Sequence, residues 1–201
     1  TEVEHVYQSW DTASTMQARK SQSSNVMVEG LILKNHTMYI NRVYCEQKAP
    51  ADISTDMVTL FEEAERDWGV GKVRVIVENK SSGTALVSML QRFSPIGGYI
   101  QPVDIPGAGI GSGQRGQLDP INRAAAVSHV LPMVFMPWRN PDKWEPWIDD
   151  YVTALSAFPN GSQGPHNDRV LATILLLEHA FPTQFRGNPP DIRVHVRGIN
   201  Y

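Results

Sequence analysis

The period of hydrophobic and polar positions changes several times along the chain, and each change predicts an element. Val73, Val75, Ile76 and Val77 place four β-branched residues in five positions, which reads as a short buried strand. That strand runs into Glu78, a polar stretch and Gly83, after which Leu86 and Leu90 at helical spacing predict a helix over about 84–93. Upstream, Glu4 to Asp11 reads as a first strand, with Val6, Tyr7 and Trp10 as its strand formers. The polar run from Ser14 to Asn25 has no apolar period and reads as a loop. Val26 to Leu33 and Thr37 to Cys45 predict two strands joined by a hairpin turn at Lys34, Asn35 and His36. Pro50 opens a helix whose apolar face, Ile53, Met57, Leu60, Phe61 and Ala64, leads to Trp68, and Gly69 and Gly71 end it.

The second half is more broken. Tyr99 to Asp104 predicts a short strand, and Gly107 to Gly116, with five glycines in ten residues, predicts a flexible loop. That loop formally contains G-x-G-x-x-G from Gly111 to Gly116. Pro106 intervenes after the strand and no acid lies about 20 residues on, so the dinucleotide fingerprint is rejected. No G-K-[ST] ending occurs, so no P-loop is present. Asp119 and Pro120 start a helix reaching Val127, and Val134 to Met136 is a brief strand. Asp142 to Phe158 is a helix with Trp144, Trp147, Ile148, Tyr151 and Leu155 on its inner face. His166, Asn167 and Asp168 cap a last, strongly apolar helix over Val170 to Leu177.

Three early strands with short connections must be antiparallel neighbours, and strands separated by helices run parallel. The expectation is an α/β fold built on a mixed sheet, three antiparallel strands then parallel ones, flanked by helices. Residues 1–182 form its one domain, and 183–201, with Arg186, Arg193 and Arg197, form a tail outside the core. The 201 residues, 41% hydrophobic, suffice for one substantial core. A net charge of −3 argues against coating nucleic acid by bulk electrostatics, while leaving room for a local basic groove. A lone cysteine, Cys45, excludes an internal disulfide and a cysteine zinc cluster and reads as a buried thiol. No apolar run reaches the length of a membrane span and no signal-peptide core opens the chain, so a protein of a reducing, aqueous compartment is expected. The chain begins at Thr1, as a fragment of something longer would.

Most acids that close a strand are simply solvated. Here three occupy comparable places. If the first strand pairs in parallel with the Glu78 strand, Asp11 and Glu78 end on one edge of the sheet, where α/β proteins place their chemistry. Asp168, at a helix start, can complete the set. Gathered carboxylates are hard ligands suited to Mg²⁺ or Mn²⁺, and a pair of such ions can activate water against a phosphodiester. Without metal the three would repel one another.

These residues carry a family resemblance. Trp10-Asp11-Thr12-Ala13, Val77 to Leu86, Phe158-Pro159-Asn160-Gly161 and His166 to Val170 resemble, in that order, the nuclease domain of the large terminase subunit of tailed bacteriophages. The resemblance covers about residues 5 to 180. It implies a ribonuclease-H-like fold and a metal-dependent endonuclease that cuts concatemeric double-stranded DNA during genome packaging. By position, Asp11, Glu78 and Asp168 would be catalytic metal ligands for a pair of Mg²⁺ or Mn²⁺ ions. The implied partners are double-stranded DNA, a portal protein, a small terminase subunit and an ATPase domain, and the implied setting is the host cytoplasm at the viral prohead. The chain departs from the family in having Asn167 where a first of two adjacent acids is usual, in matching the Gly-Asp-Lys…Arg motif only at Arg123, and in lacking the ATPase, so it would cut without translocating.

Lesser roles are expected around this set. Lys80 either holds a phosphate or is a solvated loop lysine, and His166 either assists proton transfer or is a cap residue. Arg115 and Arg123 are candidates for the DNA backbone, giving affinity without sequence reading. Asp149 and Asp150 read as a solvated helix face, and the aromatics of that helix as core. Two alternatives stay open: another ribonuclease-H-like nuclease, of the junction-resolvase or transposase type, and a non-catalytic DNA or protein docking module.

Overall fold

Strand β1 (Val3–Asp11) is the axis about which the chain is arranged, with β2 (Asn25–Leu33) antiparallel on one side and β4 (Val73–Glu78) parallel on the other. The computed structural model describes residues 2–12, 24–79, 81–104, 120–137, 145–160 and 165–181. Within them six strands form one sheet in the order β5-β4-β1-β2-β3-β6. β3 (Met38–Glu46) is antiparallel to β2, while β5 (Ile100–Val103) and the two-residue β6 (Val134–Phe135) close the edges, each parallel to its neighbour. This is the mixed sheet, three antiparallel strands then parallel ones, flanked by helices, that is expected from the sequence. The Gly-rich loop, the tail and Trp144 lie outside the described residues.

Two helical layers cover the sheet. On one face α1 (Pro50–Trp68) and α2 (Ser81–Phe93) pack Ile53, Met57, Phe61, Leu86 and Leu90 on Val6, Trp10, Val73, Val75 and Val77. On the other, α3 (Pro120–Val127), α4 (Trp147–Ala157) and α5 (Pro165–Ala180) supply Val127, Tyr151, Ala172 and Leu176 against Val26, Val28, Met38 and Ile40. β2 is sandwiched between both layers, which is why it reads as an unbroken apolar run rather than an alternating one. At Gly30 that close packing shows directly: a Cβ there would stand 3.0 Å from the Met38 sulfur and 3.1 Å from a Leu176 methyl.

Local chemistry explains the turns. His36 takes a left-handed φ of 61° in the β2–β3 hairpin, and the Asn35 side-chain oxygen accepts from the Thr37 hydroxyl at 2.7 Å. Gly69, at φ 111°, ends α1 by donating its N–H to the Glu65 carbonyl at 2.8 Å. Three expectations shift. α2 begins at Ser81 rather than 84, and α5 begins at Pro165, so His166, Asn167 and Asp168 stand inside its first turn instead of preceding it. Proline fits a first helical position because its missing N–H would have had no partner there. α4 starts at Trp147 in the described chain, and Leu155 is exposed, its inner-face place being taken by Ala154.

One polar network lies inside the α1 layer. Glu29 is fully buried, and its carboxylate accepts from the Gln8 amide at 2.9 Å and the Asn41 amide at 2.6 Å. The same Gln8 nitrogen donates to the Leu60 carbonyl of α1 at 2.9 Å. Four elements are thereby tied in one register, since a buried carboxylate without donors is costly. Gln8→Ala is expected to lower stability by about 1–3 kcal/mol, the range for stranding a buried polar partner. Urea denaturation reads this as a lower midpoint at constant slope. A loss no greater than the roughly 0.5 kcal/mol typical of surface changes would show that the network does not hold the sheet.

Candidate active site

The ladder between β1 and β4 sets the geometry. It runs in register from Val6 opposite Val73 to Trp10 opposite Val77, so the next residues, Asp11 and Glu78, end level with each other on adjacent strands. Neighbouring strands lie about 4.8 Å apart. Side chains alternate in facing. Because Val6, Trp10, Val73, Val75 and Val77 all point into the α1–α2 layer, Asp11 and Glu78 both turn to the opposite face. That face is the one α5 covers, and α5 packs on β1, β2 and β4. The first turn of α5 carries Asp168 to the same end of the sheet, where its carboxylate accepts the main-chain N–H of Ser24 at 2.8 Å, one residue before β2. A carboxylate is also favoured there by the positive end of the helix dipole.

The three acids are sheltered to different degrees. Glu78 is 4% exposed and Asp168 9%, whereas Asp11 is half-buried. Carboxylate oxygens are hard donors of the kind that suit Mg²⁺ or Mn²⁺. Among the described residues no three His, Cys, Asp or Glu side chains are gathered closely enough to hold a metal ion unaided. What the fold supplies is a level pair on two strands and a third acid on the facing helix.

Other expected residues fall differently. Asn167 is half-buried in the first turn of α5, beside Asp168. Lys80, Arg115 and the His166 side chain lie outside the described residues. Arg123, a candidate for the DNA backbone, lies between α3 and α5. It is 4% exposed, donating from Nε to Glu178 at 3.0 Å and from its terminal nitrogen to the other oxygen at 2.7 Å. This forked pair fastens α3 to α5 and occupies the guanidinium expected to face DNA. Asp150, read as solvated, does stand exposed but accepts from Arg169 at 3.2 Å, tying α4 to α5 next to the site.

Several residues near the acids are not singled out by the sequence. Arg169 lies beside Asp168, with only a tenth of its side chain exposed. Asp104 follows β5 as Glu78 closes β4 and Asp11 closes β1, so three parallel strands finish on an acid. That repetition is visible in the sequence, but which strands are neighbours is not. Cys45, paired with Val26 at the same end, is half-buried, and burial pushes its thiol up despite the nearby Arg169. On the α1 side, Lys48 at 2.9 Å and the Tyr44 hydroxyl both donate to Asp56. Burial alone would raise that carboxyl, but these two bonds outweigh it and hold it low.

By sequence the chain matches no protein-family model and no curated protein. Among solved structures it is similar to the yeast mitochondrial Holliday junction resolvase, with a TM-score of 0.41 and 11% identity over 89% of this chain and 80% of that one.

Arg123→Ala is expected to lower stability by about 1.5–3 kcal/mol, the worth of hydrogen bonds to a charged group, and to leave the salt dependence of any DNA binding unchanged. A salt slope reduced by about one, the mark of a lost phosphate contact, with stability intact would return Arg123 to the DNA-facing set.

Proposed function

We propose that the chain is a metal-dependent DNA endonuclease of the ribonuclease-H-like class, with Asp11, Glu78 and Asp168 as its catalytic carboxylates. The observation that carries this reading is that Asp11 and Glu78 each follow the last registered pair of the β1–β4 ladder, Trp10 and Val77, while the first turn of α5 carries Asp168. Acids held close together gain nothing from one another without a cation. A bound Mg²⁺ or Mn²⁺ supplies an acidified water and offsets charge on a phosphodiester. The chain's own part is to hold hard oxygen donors there.

Two substrates suit this chemistry. The ordered motifs around Asp11, Glu78 and Asp168 support a terminase-type enzyme that cuts concatemeric duplex DNA. The portal protein, small subunit, ATPase domain and prohead setting belong to that reading alone. The second reading is a resolvase-type enzyme acting on branched DNA, the kind of enzyme for which the yeast structure is named. The mild negative charge of the chain agrees with either substrate being presented by a partner.

Purified protein incubated with plasmid and with a four-way junction, in Mg²⁺, Mn²⁺ or EDTA, tests both levels. Cutting is expected with metal only. Asp11→Ala, Glu78→Ala and Asp168→Ala should each reduce it by more than the roughly 10–100-fold typical of losing an outer-shell partner. A variant retaining full Mn²⁺-dependent cutting removes that residue from the site, and cutting in EDTA removes the metal. Preference for plasmid supports the terminase reading, and preference for the junction supports the resolvase reading.

A further inference from the structure

We infer that Asn79, Asp104 and Thr84 form a clasp that sets the position of Glu78, making Asn79 and Asp104 positioning residues of the proposed site. The inference takes the role of Glu78 from the nuclease reading, and the manner in which Glu78 is held from hydrogen bonds alone.

Glu78 is the last residue of β4, and a side chain at a strand end shares the fraying of that end. The β1 ladder stops at Val77, one residue short of it. On the β5 side Glu78 pairs with Val103, and the ladder is carried one step further by the Asn79 N–H, which donates to the Val103 carbonyl at 2.8 Å. The Asn79 side chain then makes two more bonds. Its amide nitrogen donates to the Asp104 carboxylate at 2.7 Å, and its amide oxygen accepts from the Thr84 hydroxyl at 2.7 Å. One residue is thus tied to the backbone of β5, to the residue that follows β5, and to the start of α2.

Neither partner can serve as a further ligand at the acid site. Glu78 and Val103 share the α5 face, so one step along the extended chain turns Asn79 and Asp104 to the α2 face. The bond from Thr84, in α2, agrees with that direction. Their influence passes through the backbone they fix. The chemistry is specific to asparagine at 79, because the position requires a donor and an acceptor at once. A carboxylate there would face Asp104 as a like charge, and leucine, of similar shape, would lose both bonds. At 104 an asparagine still offers an oxygen, so Asp104→Asn is the conservative change and Asp104→Ala the disruptive one.

The test measures Mn²⁺ binding by calorimetry on the full chain, beside thermal unfolding. Asn79→Leu, Thr84→Val and Asp104→Ala are expected to weaken Mn²⁺ binding about 10–100-fold, as loss of an outer-shell partner does, with Tm lowered by only a few degrees. Asp104→Asn should restore most of the affinity. The double variant Asn79→Leu with Asp104→Ala should be no weaker than the worse single one, because both remove one clasp. Affinity that follows Tm across the series, or that is unchanged by all of these variants while Glu78→Ala abolishes binding, overturns the clasp and leaves the nuclease reading standing. Wild-type protein whose Mn²⁺ titration matches that of Glu78→Ala overturns both.

Discussion

The parallel pairing of β1 with β4 is the constraint on which everything else at the acid end depends. A strand's side chains alternate, so a slip of one residue would send Asp11 and Glu78 to opposite faces of the sheet. The register is defended from the α1–α2 side, where Val6, Trp10, Val73, Val75 and Val77 are all completely buried. The amide and carboxylate network of Gln8, Glu29 and Asn41 holds β1 in turn against β2 and β3 by polar means. The apolar layer makes a slip expensive in exposed surface, and the network makes it expensive in stranded polar groups. Neither feature includes the acids, yet together they determine which way the acids point.

Much of this arrangement is legible in the order of the amino acids. The β2–β3 hairpin announces itself through Lys34, Asn35 and His36 between two apolar runs, and α1 through Ile53, Met57, Phe61 and Ala64 at helical spacing. Strand-end placement of Asp11 and Glu78 follows from the same patterns. Tertiary partnership is what local patterns do not carry. Arg123 looks like any surface arginine on a short helix until Glu178, 55 residues away, is seen to accept both of its bonds. Leu155 fits the helical stripe of α4 by spacing, but the stripe turns so that Ala154 faces the core instead. Asn79 and Asp104 are 25 residues apart and meet only because β4 and β5 are neighbours. The start of α5 is obscured for a local reason: Pro165 ends a run of loop-forming residues, Asn160 to Gly164, and reads with them, although a first helical turn suits it.

Polar contacts fasten α5 near both of its ends. Asp168 takes the Ser24 N–H, Arg169 takes Asp150, and Arg123 reaches Glu178 near the far end of the same helix. The helix between these fastenings is almost wholly apolar on the sheet side, with Ala172, Leu175 and Leu176 buried. Greasy packing in the middle and directional bonds near the ends leave α5 little freedom to rotate about its own axis. That matters because rotation would swing Asp168 away from the strand ends.

Gly30 acts as a fulcrum for α5. It lies in the middle of β2 beneath Leu176, which is eight residues, or about 12 Å of helix rise, from Asp168. Because no side chain stands between them, α5 beds directly on the strand there. A larger residue would prop the helix up at that point, and α5, as a rigid rod, would convert the lift into a change of pitch at its other end. The gap between the helix acid and the two strand acids is therefore set partly by an atom the chain lacks at a position remote from all three.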